Sequence, residues 1–192
     1  MRILISLAAT VMVVVVSACS GSPSGPSSAP GTLNLMIKDS PYGDAKALLV
    51  TFSTVTIHKS ETDAGWSRLP FADGGSTRTC DLKKLENAED VLGVGSLAEG
   101  HYQQVHVVVS SAALYFDKAS AGPPCASTIV PPAGRSVSLE IPSGEVKLNH
   151  GFDVTHTGAT TMVIDFDGDR SVVDMGNGRF HMKPVIGVVG VK

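Results

Sequence analysis

Aromatic side chains are scarce in this 192-residue sequence, at 5%, and only three of its residues are cysteine. Charged residues are few, at 17%, and no run of five or six like charges occurs. Lys and Arg stand singly, so there is no basic stripe to follow a phosphate backbone, and nucleic acid is excluded as a partner. Motifs that carry chemistry are missing as well. There is no His-Glu-x-x-His or Cys-x-x-Cys, and no phosphate or dinucleotide loop. Gly93-Val94-Gly95-Ser96 lacks the closing glycine of a nucleophile elbow, so Ser96 reads as a turn residue. The six histidines, His58, His101, His106, His150, His156 and His181, include no pair at helical zinc spacing and read as surface residues. No cofactor is expected. Trp66, Tyr42, Tyr102 and Tyr115 are too scattered to predict a sugar-stacking platform and read as core or edge packing.

Long apolar runs are absent too, with one exception. Arg2 precedes about 14 apolar residues, Ile3 to Val16, which are followed by Ser17-Ala18-Cys19. A membrane span needs about 20 residues, whereas this length suits the apolar region of a signal peptide. The end of the run resembles a lipobox. The resemblance implies a signal peptide over residues 1–18, cleavage before Cys19, and acyl chains, palmitate among them, on Cys19 as a membrane anchor. Two or more chains hold stably where one does not. Ser20, where an aspartate would retain the protein at the inner membrane, implies the outer membrane if the host is Gram-negative. From Ser20 to Gly31 every residue is Ser, Gly, Pro or Ala. Residues 19–31 are thus a lipidated cysteine and a tether, reaching about 20 to 35 Å from the bilayer. The remaining residues, 32–192, make one domain of ordinary size.

That domain alternates with the period of strands. Leu33, Leu35 and Ile37 share one face of the first, and Val55 and Ile57 one face of the second, whose Leu48-Leu49-Val50 start predicts a bulge or deeper burial. Trp66 to Phe71 reads as a short strand. Val105, Val107 and Val109 point inward from another, with Tyr102, Gln104 and His106 mainly outward. Ser136 to Ile141, Val146 to Leu148, Phe152 to Thr155, Thr160 to Phe166 and Arg179 to Val189 complete the set. The one helical signal is Leu82, Leu85, Val91 and Leu92 among charged residues, ended by Gly93 and Gly95. These short strands and 20 glycines predict an all-β, antiparallel Greek-key β-sandwich with at most one short helix.

Several ordered segments carry a resemblance. They are Gly31-Thr32-Leu33 with Asp39-Ser40-Pro41, Leu97-Ala98-Glu99-Gly100-His101-Tyr102, Ile141-Pro142-Ser143-Gly144, Asp165-Phe166-Asp167 with Arg170-Ser171-Val172, and Lys183-Pro184-Val185-Ile186. Together they resemble a family of bacterial envelope lipoproteins whose domain has no assigned function. The resemblance implies a prealbumin-like or similar sandwich and no particular activity.

The acidic residues are the remaining candidates. With Met162, Ile164 and Phe166 inward, Asp165 and Asp167 project together, about 6.6 to 6.8 Å apart along the strand. That spacing suits the carboxylates of an inverting glycosidase, yet every such pair on a strand has it. Asp165, Asp167 and Asp169 with Asp39 and Asp44 are weak calcium candidates, because Gly176 stands where an EF-hand loop needs its acid. Capping a strand end and pairing Arg170 is the plainer role. Cys80 and Cys125, the two cysteines left once Cys19 carries lipid, are expected to form a disulfide. The sequence as a whole points to a non-enzymatic module that binds an unidentified ligand or protein at the cell envelope. A carbohydrate hydrolase using Asp165 and Asp167, and a calcium-stabilised adhesion domain, are the alternatives.

Overall fold

The structure is a computed structural model that describes residues 29–40, 42–60 and 65–192. The expected signal peptide, the lipidated Cys19 and most of the tether lie outside the described residues. In chain order the strands are β1 (Gly31–Ser40), β2 (Ala47–Lys59), β3 (Trp66–Arg68), β4 (Arg78–Asp81), β5 (Asp90–Leu97), β6 (Gly100–Tyr115), β7 (Cys125–Ala126), β8 (Ser136–Ser138), β9 (Glu145–Val154), β10 (Ala159–Asp167), β11 (Val172–Asp174), β12 (Phe180–Met182) and β13 (Ile186–Val191). One helical turn of 3-10 type spans Leu82–Leu85, and one α-helical turn, α1, spans Gly168–Ser171. The fold is all-β and sandwich-like.

One sheet runs β13-β10-β1-β5. A second is built on the long β2–β6 pair, with β4 and β3 along the free side of β2, and β8 and β9 along the free side of β6, while β11 and β12 pair in a small third sheet. Leu33, Leu35 and Ile37 from the first sheet and Phe52, Val55 and Ile57 from the second are wholly buried in a shared core. Burying each such side chain contributes about 1.5–3 kcal/mol. Phe52 meets Phe166 edge-on across the layers, with ring centroids 6.1 Å apart.

The pairing departs from expectation in one ladder. β1 and β10 run parallel, from Thr32 opposite Ala159 to Ser40 opposite Asp167. Parallel neighbours need a crossover, and the whole second sheet supplies it. The helical signal also resolves differently. Only Leu82–Leu85 turns, with Asp81 as its cap, while Val91, Leu92, Gly93, Gly95 and Ser96 all belong to β5. Ser96 is therefore a strand residue, and the two glycines end no helix. They admit Leu69 and Pro70, because a Cβ on either would meet those residues at 3.0 Å or less.

Bulges change which residues face inward. The β2–β6 register shifts between Thr51 and Phe52 and again between Phe52 and Thr54. The inward set accordingly changes from Leu48, Val50 and Phe52 to Val55 and Ile57 on β2, and from Val105, Val107 and Val109 to Ala112 and Leu114 on β6. Leu49 is buried on the opposite face of the sheet, so the apolar start of β2 is covered on both sides.

Tyr102 was expected outward and is 2% exposed. A register shift between Tyr102 and Gln104 brings its ring inward, stacked on Phe152 at 5.4 Å. Its hydroxyl donates to the Ala98 carbonyl at 2.7 Å, which makes Leu97 to Tyr102 a tyrosine corner. Gly100 at the bend has φ +145°, a conformation that side chains disfavour.

Candidate functional site

The parallel β1–β10 ladder gathers the acidic residues at one end of the first sheet. Lys38 lies opposite Asp165, Asp39 opposite Phe166, and Ser40 opposite Asp167. Partners in register share a face, so Asp165 and Asp167 project outward as expected, whereas Asp39 enters the core side with Phe166. Asp39 is 4% exposed. Its Oδ1 accepts the Gly168 N–H at 3.1 Å, and its Oδ2 is buried without a partner. Burial pushes the carboxyl up to about 8 against the stabilising Gly168 bond, with Asp165 and Asp167 adding to the rise and Lys83 opposing it. Asp39 is accordingly a neutral acid at pH 7.

The other carboxylates have structural work. Asp167 caps α1 by accepting the Arg170 N–H at 2.9 Å, with the Arg170 guanidinium 3.7 Å away. Asp165 accepts from Ser40 Oγ at 3.4 Å. Asp44 accepts from the Tyr42 hydroxyl at 3.5 Å, and that hydroxyl is pushed up by burial and then by Asp44 and Asp174. Lys83 Nζ donates to the Tyr42 carbonyl at 3.1 Å. Asp165, Asp167 and Arg170 line a shallow cleft of about 330 Å³ against Val185, Ile186 and Val188. Asp39 stands on the other face of the sheet from that pair. Among the described residues no three His, Cys, Asp or Glu side chains converge to hold a metal ion.

The histidines are dispersed. His58 and His106 flank the indole of Trp66, with centroids 4.6 and 4.2 Å away, on the outer face of the second sheet. Burial lowers the His106 pKa, while Glu145, 3.1 Å from its Nδ1, opposes that shift. His101 pairs instead with Asp153 at 2.8 Å.

Cys80 and Cys125 form a disulfide, with Cα atoms 4.1 Å apart. They sit opposite each other on the paired strands β4 and β7. A buried polar network surrounds the bridge. Asp81 accepts from the Leu48 and Lys83 N–H groups, each at 3.2 Å, and from Ser120 Oγ at 2.6 Å. Asp90 accepts the Cys125 N–H at 3.1 Å, while Arg78 binds Asp73 at 3.0 Å and Asp90 at 3.2 Å. These contacts hold the stretch from Ser120 to Ile129 against the sheet.

A groove of about 500 Å³ results between that stretch and the outer face of the second sheet. Leu49, Ala113 and Ile129 lie along it, with the hydroxyls of Thr51, Thr79, Ser110, Ser111, Ser127 and Thr128. Ser138 and Tyr115 add two more, and no Lys, Arg, His, Asp or Glu lines it. Reading the chain in order did not find this groove. Its parts come from β2, β4, β6, β8 and two loops, and only the disulfide hinted that the later loop returns to β4.

Residues 30–184 match the family described as Domain of unknown function (DUF4382). The chain belongs to that family. The matched span runs from the start of β1 to just beyond β12, and so takes in Asp39, the acidic strand end, the disulfide and the groove. Comparison with curated proteins and with solved structures finds no match.

Proposed function

We propose that this member of the family is a lipoprotein anchored through Cys19, whose β-sandwich is a non-enzymatic binding module at the cell envelope. The groove beneath the Ser120 to Ile129 stretch carries this reading. At about 500 Å³ it falls within the size range of ligand sites, and it is braced by a disulfide and a buried ionic network. Preorganised walls lower the entropy lost on binding, which is what a recognition surface requires. The acidic strand end supports a hydrolase less well, because Asp167 is occupied as a helix cap and Asp165 accepts from Ser40.

The N-terminal sequence supports the anchor: a short apolar run, Ser17-Ala18-Cys19, then a tether of small residues and proline. A disulfide fits an oxidising compartment outside the cytosol. Cys19→Ala tests this directly. The wild-type chain is expected in the membrane fraction bearing labelled fatty acid, and the variant unlabelled and unprocessed or released. Fatty acid on the variant would defeat the assignment. Density separation of inner and outer membranes tests placement in the outer one, and Ser20→Asp is expected to move the chain inward.

A further inference from the structure

We propose that the groove binds a neutral oligosaccharide; this rests on the binding-module reading above and names the ligand class of the same site. The argument begins with charge. No Lys, Arg, His, Asp or Glu lines the groove. A charged ligand would give up water there with no counter-ion to meet it, which is costly. What the walls do offer is hydroxyl groups. Thr51 and Thr79 share one hydrogen bond at 2.9 Å and Ser110 donates to the Thr51 carbonyl at 3.2 Å, which leaves those of Ser111, Tyr115, Ser127, Thr128 and Ser138 to donate and to accept. A ligand that matches them must do the same at many points, and sugar hydroxyls do.

The floor adds a second requirement. Leu49, Ala113 and Ile129 put carbon beside the hydroxyls of Thr51, Ser111 and Ser127. A pyranose ring has a face of C–H groups and a rim of hydroxyls, so it meets both at once. A peptide strand fits less well. Peptides recognised by sheets add to a free strand edge through backbone hydrogen bonds, whereas this groove lies on a sheet face. The strands beneath it spend their backbone groups on the β2–β4 and β2–β6 ladders. The site therefore has side chains to offer a ligand and little main chain.

The test uses the full-length chain, purified in a polyoxyethylene detergent that carries no sugar headgroup. Electrophoretic retardation is measured in gels containing dextran, laminarin, xylan or galactomannan, and in gels containing the acidic polygalacturonate. At least one neutral polymer is expected to retard the chain more strongly than the acidic one. Ser111→Asp and Ser127→Asp, both at exposed positions of the groove, are expected to weaken that binding by about tenfold or more. Asn149→Asp, exposed on β9 away from the groove, is expected to leave it unchanged. Melting curves confirm that each variant folds. Failure of every neutral polymer, or retention of binding in both groove variants, overturns the proposal. Binding of isolated envelopes, measured in parallel with Cys19→Ala to remove the anchor, separates the two levels. Envelope binding that survives the groove variants leaves the module reading standing and the oligosaccharide reading refuted. Absence of envelope binding by Cys19→Ala carrying no groove substitution, together with failure of every neutral polymer, refutes both.

Discussion

Asp39→Asn is expected to stabilise this protein at neutral pH and to remove a large part of its pH dependence. An aspartate that ionises at 3.8 when unfolded and at about 8 when folded makes the folded chain hold a proton that the unfolded chain has released. Stability from this group is thus level below pH 4, falls as pH rises to 8, and is level again above that. Each pH unit inside the window costs about 1.4 kcal/mol, or roughly 4 kcal/mol by pH 7, an order-of-magnitude figure. The asparagine carries no such penalty. Its Oδ1 can still accept the Gly168 N–H, but its amide replaces Oδ2, which is buried without a partner. An unsatisfied buried donor costs about 1–3 kcal/mol. The balance favours the variant by about 1–3 kcal/mol at pH 7 and turns unfavourable, by about 0.5–2.5 kcal/mol, at pH 4.

Urea unfolding between pH 4 and pH 9 measures this, with the disulfide kept oxidised. Circular dichroism is the better probe, since the sole tryptophan, Trp66, packs between His58 and His106 and its emission would report that local contact as well as unfolding. The quantity to plot is the stability difference between variant and wild type, because the shared titrations of other groups cancel in it. A difference that stays flat from pH 4 to pH 8 would refute the assignment of a proton to Asp39. Asp165→Asn supplies a second check. It removes one of the charges that raise Asp39, so the window should end at a lower pH.

Three further outcomes are expected. Reducing Cys80–Cys125, whose members are 45 residues apart in sequence, should cost about 4 kcal/mol on the loop-entropy estimate, and a melting curve shifted by less than a few degrees would contradict it. Tyr102→Phe removes the hydroxyl that bonds Ala98 and should cost about 1 kcal/mol with the fold intact, so an unchanged denaturation midpoint would show that the corner contributes nothing. Calcium should leave the melting temperature where chelator leaves it, whereas occupancy at a thousand times the dissociation constant would add about 4 kcal/mol, and a rise of that size would require a cation site at the acidic strand end.

Strand positions were legible wherever alternation ran unbroken. Leu33, Leu35 and Ile37 face inward as their period of two requires, and so do Met162, Ile164 and Phe166. Legibility failed at the bulges, since one extra residue reverses the faces of everything beyond it. Tyr102 was placed outward for that reason: its parity with Gln104 and His106 is real in the sequence, and a register shift beside it cancels that parity. The turn from Leu82 to Leu92 failed differently. Its apolar spacing fits a helix, but Leu92 is required by the core as part of β5. The parallel β1–β10 ladder was beyond local reading altogether, because the two strands are joined through the entire second sheet.

Asp39 stood out in the sequence only as a weak calcium candidate, and its burial was the feature missed. It stands in phase with Leu33, Leu35 and Ile37, and the alternation that buried them buries it too. The break at Ser40 and Pro41 hid the parity that places its carboxyl on the core side of β1. The groove presents the opposite case, in which no parity would have helped. Thr51, Ser111 and Ser127 are ordinary surface hydroxyls on separate segments, and they become a site because the disulfide and the Arg78, Asp81 and Asp90 network press a loop onto the sheet. Pairing Cys80 with Cys125 was available from counting cysteines. Asking what a bridge between those positions would pull together leads from β4 to Ser127 and Thr128, and from there to the groove.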